Sequence, residues 1–129
     1  MGININPGIE NTYTMTVEQQ YTASAYGSGL IDVLATPAMI GFMEKTAQEA
    51  VQPFLPEGYI TLGTVVNIKH IKATPVGEKV TFHAKVTEAE GKKLTFEVTA
   101  HDEHGQIGLG IHKRAVVHAD KFMKSLANG

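Results

Sequence analysis

The sequence predicts an α+β domain in which an antiparallel sheet wraps around one long central helix. Three observations predict it. The stretch ATPAMIGFMEKTAQEAVQPFL has helical periodicity between a Thr-Pro start and a proline-rich stop. Four β-patterned runs follow it, at about 59–72, 78–90, 93–101 and 106–118, and one alternating run precedes it.

In NTYTMTV, Tyr13, Met15 and Val17 alternate with Thr12, Thr14 and Thr16, which predicts a strand at about 11–18 with one buried face. EQQYTASAYGSGLID has small residues, Gly27-Ser28-Gly29 and no sustained period, so it reads as a loop with room for a short helical turn. Thr36-Pro37 opens the helix: threonine at the N-cap accepts a free N–H of the first turn, and proline at N1 loses no needed donor. Pro53 and Pro56-Glu57-Gly58 close it, giving a helix over about 37–54. Met39, Ile40, Met43, Ala47, Ala50, Val51 and Phe54 then share one face, with Lys45, Gln48, Glu49 and Gln52 opposite.

The connections EGKK and DEHGQ offer Gly91 and Gly105 for positive φ, so sequential strands pair antiparallel. The tail ADKFMKSLANG is expected to form at most one fraying helical turn. One strand, a long helix and four strands in this order match the hotdog fold. An open, apolar strand edge makes a homodimer through the sheet the expected assembly, with dimers pairing further as an option.

Composition narrows the function. The 129 residues fit a single domain, 1–129, with 43% hydrophobic and 19% charged residues. A formal net charge of -2 and a pI near 6.3 provide no basic footprint for nucleic acid. With no cysteine there is no disulfide, thiolate metal site or cysteine nucleophile, and a reducing cytoplasm is the expected location. MGININPGIE lacks the charged and apolar regions of a signal peptide, and no apolar run is long enough to span a membrane. His83, His101, His104, His112 and His118 form no recognised metal spacing, and Gly108 and Gly110 precede no helix that would make a phosphate loop. No metal or other cofactor is expected.

Four side chains carry chemistry, and each has an ordinary structural explanation. Glu44 lies at the edge of the apolar helix face, where a carboxylate is usually solvated. Thr36 serves as the helix cap. In TVVNIKH, alternation places His70 with Thr64, Val66 and Ile68, the setting of an interior histidine. Arg114 reads as a solvated strand cation.

The stretches VLATPAMIGFMEKTAQ, LGTVVNIKHIKATPVGEKV, TAHDEHGQIGLGIHKRAVVH and DKF, taken together, resemble the fluoroacetyl-CoA thioesterase family of hotdog-fold enzymes over about residues 33–122. The resemblance implies a short-chain acyl-CoA thioesterase that releases a free acid and CoA. It implies catalytic roles for Thr36, Glu44 and His70, and substrate contacts for Gly63 and Arg114. On that reading Glu44 is nucleophile or general base, and His70 is the proton shuttle. Backbone N–H groups at the helix start or at Gly63 are candidate oxyanion donors. The rival readings are an acyl-CoA binding module without turnover and a hotdog enoyl-CoA hydratase.

Two further expectations follow. Thr36 and Glu44, eight residues apart on one helix, lie about 12 Å apart along its axis and about 80° apart around it, so either one of them reaches the thioester carbonyl from the partner subunit or Thr36 serves a distant part of the ligand. The lid before the helix in the family's best-known member carries phenylalanine, whereas YTASAYGSGLIDVLATP has Tyr21, Tyr26, Leu30 and Leu34 around Gly27-Ser28-Gly29, which predicts a looser cover.

Overall fold

The structure is a computed structural model and describes residues 3–128. Strand β1 (Glu10–Thr16) leads through a 3-10 turn to the short helix α1 (Ala23–Tyr26) and then to the long helix α2 (Thr36–Val51). A second 3-10 turn, Gln52–Phe54, precedes β2 (Tyr59–His70), β3 (Lys79–Glu90), β4 (Lys93–Asp102), β5 (Gly105–His118) and α3 (Ala119–Ala127). The strands form one sheet in the order β1-β3-β4-β5-β2, with every neighbouring pair antiparallel. This is the hotdog fold: the sheet curls around α2.

Alternation builds the core. Val80, Phe82, Ala84 and Val86 of β3 and Leu94, Phe96, Val98 and Ala100 of β4 are buried against Met39, Met43, Ala47 and Val51 of α2. The expected helix face is rotated. Ile40 is half-buried and Phe54 is 49% exposed, while Ala38 and Thr46 are buried instead. Helical periodicity ends at Val51, so the 3-10 turn aims Phe54 outward.

The aromatic cluster supplies the rest of the reason. Phe42 stacks on Tyr13 and Phe82 and meets Tyr21 edge-on, with ring centroids 5.8, 5.5 and 5.0 Å away, which pulls α2 toward β1 and β3. Thr46 tolerates burial because its hydroxyl donates to the Phe42 carbonyl at 2.7 Å. The rotation turns Glu44 toward β2.

Two other expectations are corrected. The tail is a nine-residue helix rather than one fraying turn, because the His118 side chain accepts from Lys121 N–H and Asp120 and Lys124 sit at the ends the helix dipole favours. Thr64 does not share a face with Val66, Ile68 and His70, because the β2–β5 register shifts between Gly63 and Val65. This bulge inverts the alternation: Thr61 and Gly63 pair with inward-facing Val116 and Arg114 before it, and Val66 pairs with inward-facing His112 after it.

The glycines of IGLGIH have a packing role. A Cβ on Gly110 would lie 2.2 Å from the Asn67 carbonyl oxygen, and one on Gly108 would lie 2.6 Å from Met39 Sδ. Their absence lets β5 lie close beneath β2 and α2. Among the described residues, the other long edge of β2 pairs with nothing, and its 63–67 segment is exposed. No helix among them is long and apolar enough to cross a membrane.

Candidate active site

The five candidate residues fall into two groups. The first joins Thr36 to His70. Ala35, not Thr36, occupies the cap position of α2, and the Thr36 hydroxyl instead hydrogen-bonds His70 Nδ1 at 2.8 Å. His70 ends β2 half-buried, and its Nε2 is buried with no hydrogen-bond partner. Desolvation pushes the imidazole below its ordinary pKa, against a smaller opposing effect of the nearby Lys72 backbone. The ring is therefore neutral at neutral pH, with one nitrogen uncommitted.

A cleft of about 320 Å³ opens beside this pair, lined by Ala23, Ser28, Val33, Leu34 and residues 71–73. Helix geometry leaves the Thr36 N–H at its rim, and the Ala38 N–H beyond it, without intrahelical acceptors, since the first helical bond runs from Met39 N–H to Ala35. Leu34 is buried, but Tyr26 is half-exposed and Leu30 is 98% exposed, so neither large side chain closes the cleft.

The second group gathers Glu44, Gly63 and Arg114. Arg114 is 7% exposed, not the solvated cation its place on a strand suggested. Its Nε and one Nη donate to the Thr61 hydroxyl and carbonyl at 2.8 and 2.9 Å, and its other Nη lies 3.1 Å from His112 Nε2. That same Nη is 3.8 Å from Glu44 Oε1. Burial lowers the guanidinium pKa and Glu44 opposes the shift; arginine stays charged at any working pH.

Gly63 completes this group by having no side chain. A Cβ there would sit 2.8 Å from Glu44 Oε1 and 3.1 Å from His112 Cε1, so only glycine lets the β2 backbone lie against the carboxylate. Sequence reasoning missed Thr61 and His112. The available signal was their two-residue spacing from Gly63 and Arg114, and it becomes legible once the bulge is placed.

Within one chain the two groups stay apart. From Gly63 to His70, past the bulge, β2 runs about 20 Å, too far for one thioester carbonyl to touch both ends. Among the described residues, no cluster of three or more His, Cys, Asp or Glu side chains is arranged to hold a metal ion. What the arrangement offers is a carboxylate beside a fixed cation, a neutral imidazole beside a hydroxyl, and free N–H donors at a helix start. Those are the components of acyl transfer from a thioester.

The sheet wrapped on α2, with the relatives it matches, defines an acyl-CoA thioesterase of the hotdog class. The family described as FlK, fluoroacetyl-CoA-specific thioesterase, matches residues 17–120. A fluoroacetyl-CoA thioesterase of Streptantibioticus cattleyicolor is 40% identical over 107 residues, covering 83% of this chain and 77% of that protein. A solved structure of the fluoroacetyl-CoA thioesterase FlK superposes with a TM-score of 0.91 at 34% identity, covering 97% of each chain. A Thermus thermophilus thioesterase superfamily member superposes at 0.88 with 25% identity, covering 96% of this chain and 92% of that one. The chain belongs to the fluoroacetyl-CoA-specific thioesterase family.

Proposed function

We propose that the protein is a homodimeric, cytoplasmic enzyme that hydrolyses short-chain acyl-CoA thioesters to the free acid and CoA, with each active site assembled from two subunits. The observation that carries the reading is the split of the polar groups along an unpaired strand edge. Antiparallel pairing of two β2 edges about an axis between Val66 and Asn67 sets His70 opposite the partner's Gly63. Thr36 and His70 of one protomer then face Glu44, Gly63 and Arg114 of the other. The exposed apolar Val65 and Val66 are covered by the same pairing. The absence of cysteine fits a reducing compartment.

In this assembly Glu44 delivers oxygen to the thioester carbonyl, directly as a mixed anhydride or through an activated water; both routes need its negative charge. Arg114, 3.8 Å from Glu44 Oε1, orients the carboxylate by charge attraction. On the activated-water route Glu44 takes the proton of the attacking water and His70, neutral and with Nε2 unpartnered, relays it to the departing sulfur; on the anhydride route the thiolate leaves first and is protonated when water, deprotonated by His70, hydrolyses the anhydride. On both routes the Thr36 hydroxyl fixes the His70 ring. The Thr36 and Ala38 N–H groups and the positive end of α2 stabilise the oxyanion.

A panel of acyl-CoA esters assayed for thiol release tests this function and its substrate class together. Tight binding with no released thiol would identify a binding module instead. Loss of enoyl absorbance without thiol release would identify a hydratase. Within the panel, little preference for fluoroacetyl-CoA over acetyl-CoA is expected, since Tyr26 and Leu30 stand away from the cleft and are exposed. An open cover excludes water poorly and reads a single fluorine weakly. A kcat/KM ratio above about 10³ in favour of fluoroacetyl-CoA would contradict that expectation.

A further inference from the structure

Among the described residues, His112 is the one histidine that is fully buried, and no role in the reaction has been given to it above. Its two hydrogen bonds admit one arrangement of protons. Nδ1 lies 2.8 Å from the Val65 carbonyl oxygen, which only accepts, so Nδ1 carries a hydrogen. Nε2 lies 3.1 Å from an Arg114 Nη, which only donates, so Nε2 is bare. The imidazole is thus neutral and in its Nδ1–H form.

The ring also bridges the parts of the second half-site. Through Val65 it grips the β2 bulge, its Cε1 closes the space beside Gly63, and through Nε2 it fixes the Arg114 Nη nearest Glu44. Thr61 holds the remaining guanidinium nitrogens, so Arg114 has no freedom to swing away. The groups facing the imidazole are Arg114 on its own strand, Glu44 from α2, the Phe96 ring from β4 at 6.2 Å and the Val65 carbonyl from β2.

We propose that His112, locked in the neutral Nδ1–H tautomer, is a positioning residue that aims the Arg114 guanidinium at Glu44 and so holds the Glu44 carboxylate where it reacts. Desolvation, the largest influence, lowers the pKa of the ring and so agrees with its neutrality. A second proton would set donor against donor at Arg114 and loosen the whole group. The proposal rests on the reading that Glu44 performs the chemistry.

Two experiments test it. Long-range 1H–15N spectra of the wild-type protein should show His112 as the Nδ1–H tautomer at neutral pH. An Nε2–H tautomer or an imidazolium would overturn the proposal, because neither accepts from Arg114. In kinetics, His112→Leu should lower kcat roughly ten- to a hundredfold with little change in KM, and His112→Gln, which can donate and accept, should recover part of it.

The same His112 change made in a Glu44→Gln background should cost nothing more, since the carboxylate it serves is gone. Independent, multiplying losses would overturn the proposal. If His112→Leu does not fold, His112→Gln carries the same cycle. A fully active Glu44→Gln variant would instead remove Glu44 from the chemistry, an outcome the tautomer measurement does not share.

Discussion

Glu44→Gln is expected to lower kcat by at least ~10²-fold while leaving the fold intact, because the change keeps the size and removes the charge. An amide is a poor nucleophile and a poor base, so both the anhydride and the activated-water routes fail together. The fold should survive. The Glu44 side chain is 38% exposed, and Arg114 keeps its bonds to Thr61 and His112 when the carboxylate becomes an amide. Thiol release and a thermal melt on the same preparation check both halves. Near-wild-type turnover would exclude Glu44 from the reaction.

His70→Ala is expected to be of similar severity, and its pH profile separates catalysis from structure. Burial depresses the His70 pKa, so the neutral, proton-accepting form prevails above that lowered value and is lost as pH falls through it. Wild-type activity should therefore decline on the acid side as His70 takes its second proton. The alanine variant should be slow throughout and lack that inflection. A variant that is slow yet keeps the wild-type profile would mark His70 as structural, and one that is neither slow nor altered would remove it from the site.

Much of the fold was legible because its signals are local. Alternation located all five strands to within a few residues, and Thr36-Pro37 with Pro53 bracketed α2. What was not legible depends on distant partners. The rotation of α2 is decided by where Tyr13, Tyr21 and Phe82 place an aromatic pocket for Phe42, which periodicity along the helix does not reveal. The length of α3 depends on a histidine acting as cap, a weaker signal than Ser, Thr, Asp or Asn.

The site was legible only through resemblance. Taken singly, Thr36, Glu44, His70 and Arg114 each satisfy an ordinary structural explanation. For two of them the structure replaces that explanation. The Thr36 hydroxyl reaches His70 instead of capping its helix, and Arg114 is buried among Thr61, His112 and Glu44 instead of being solvated. The bulge at Gly63 hid the second group, because strict alternation assigns the residues before Thr64 to the wrong face. Thr61 was missed for the same reason, and His112 because its partners Val65 and Arg114 are set by strand pairing and side-chain contact rather than by local sequence.

The central claim is that two subunits complete each active site, and subunit exchange tests it most directly. Thr36→Ala and Glu44→Gln homodimers, each inactive, are mixed and allowed to exchange, with heterodimer formation verified by differently tagged chains. The account predicts that thiol release returns. In a heterodimer one site carries both substitutions and the other carries neither, since intact Thr36 and His70 then come from one chain and intact Glu44, Gly63 and Arg114 from the other. If heterodimers form and no activity returns, each site lies within a single chain, and the shared-site account is wrong.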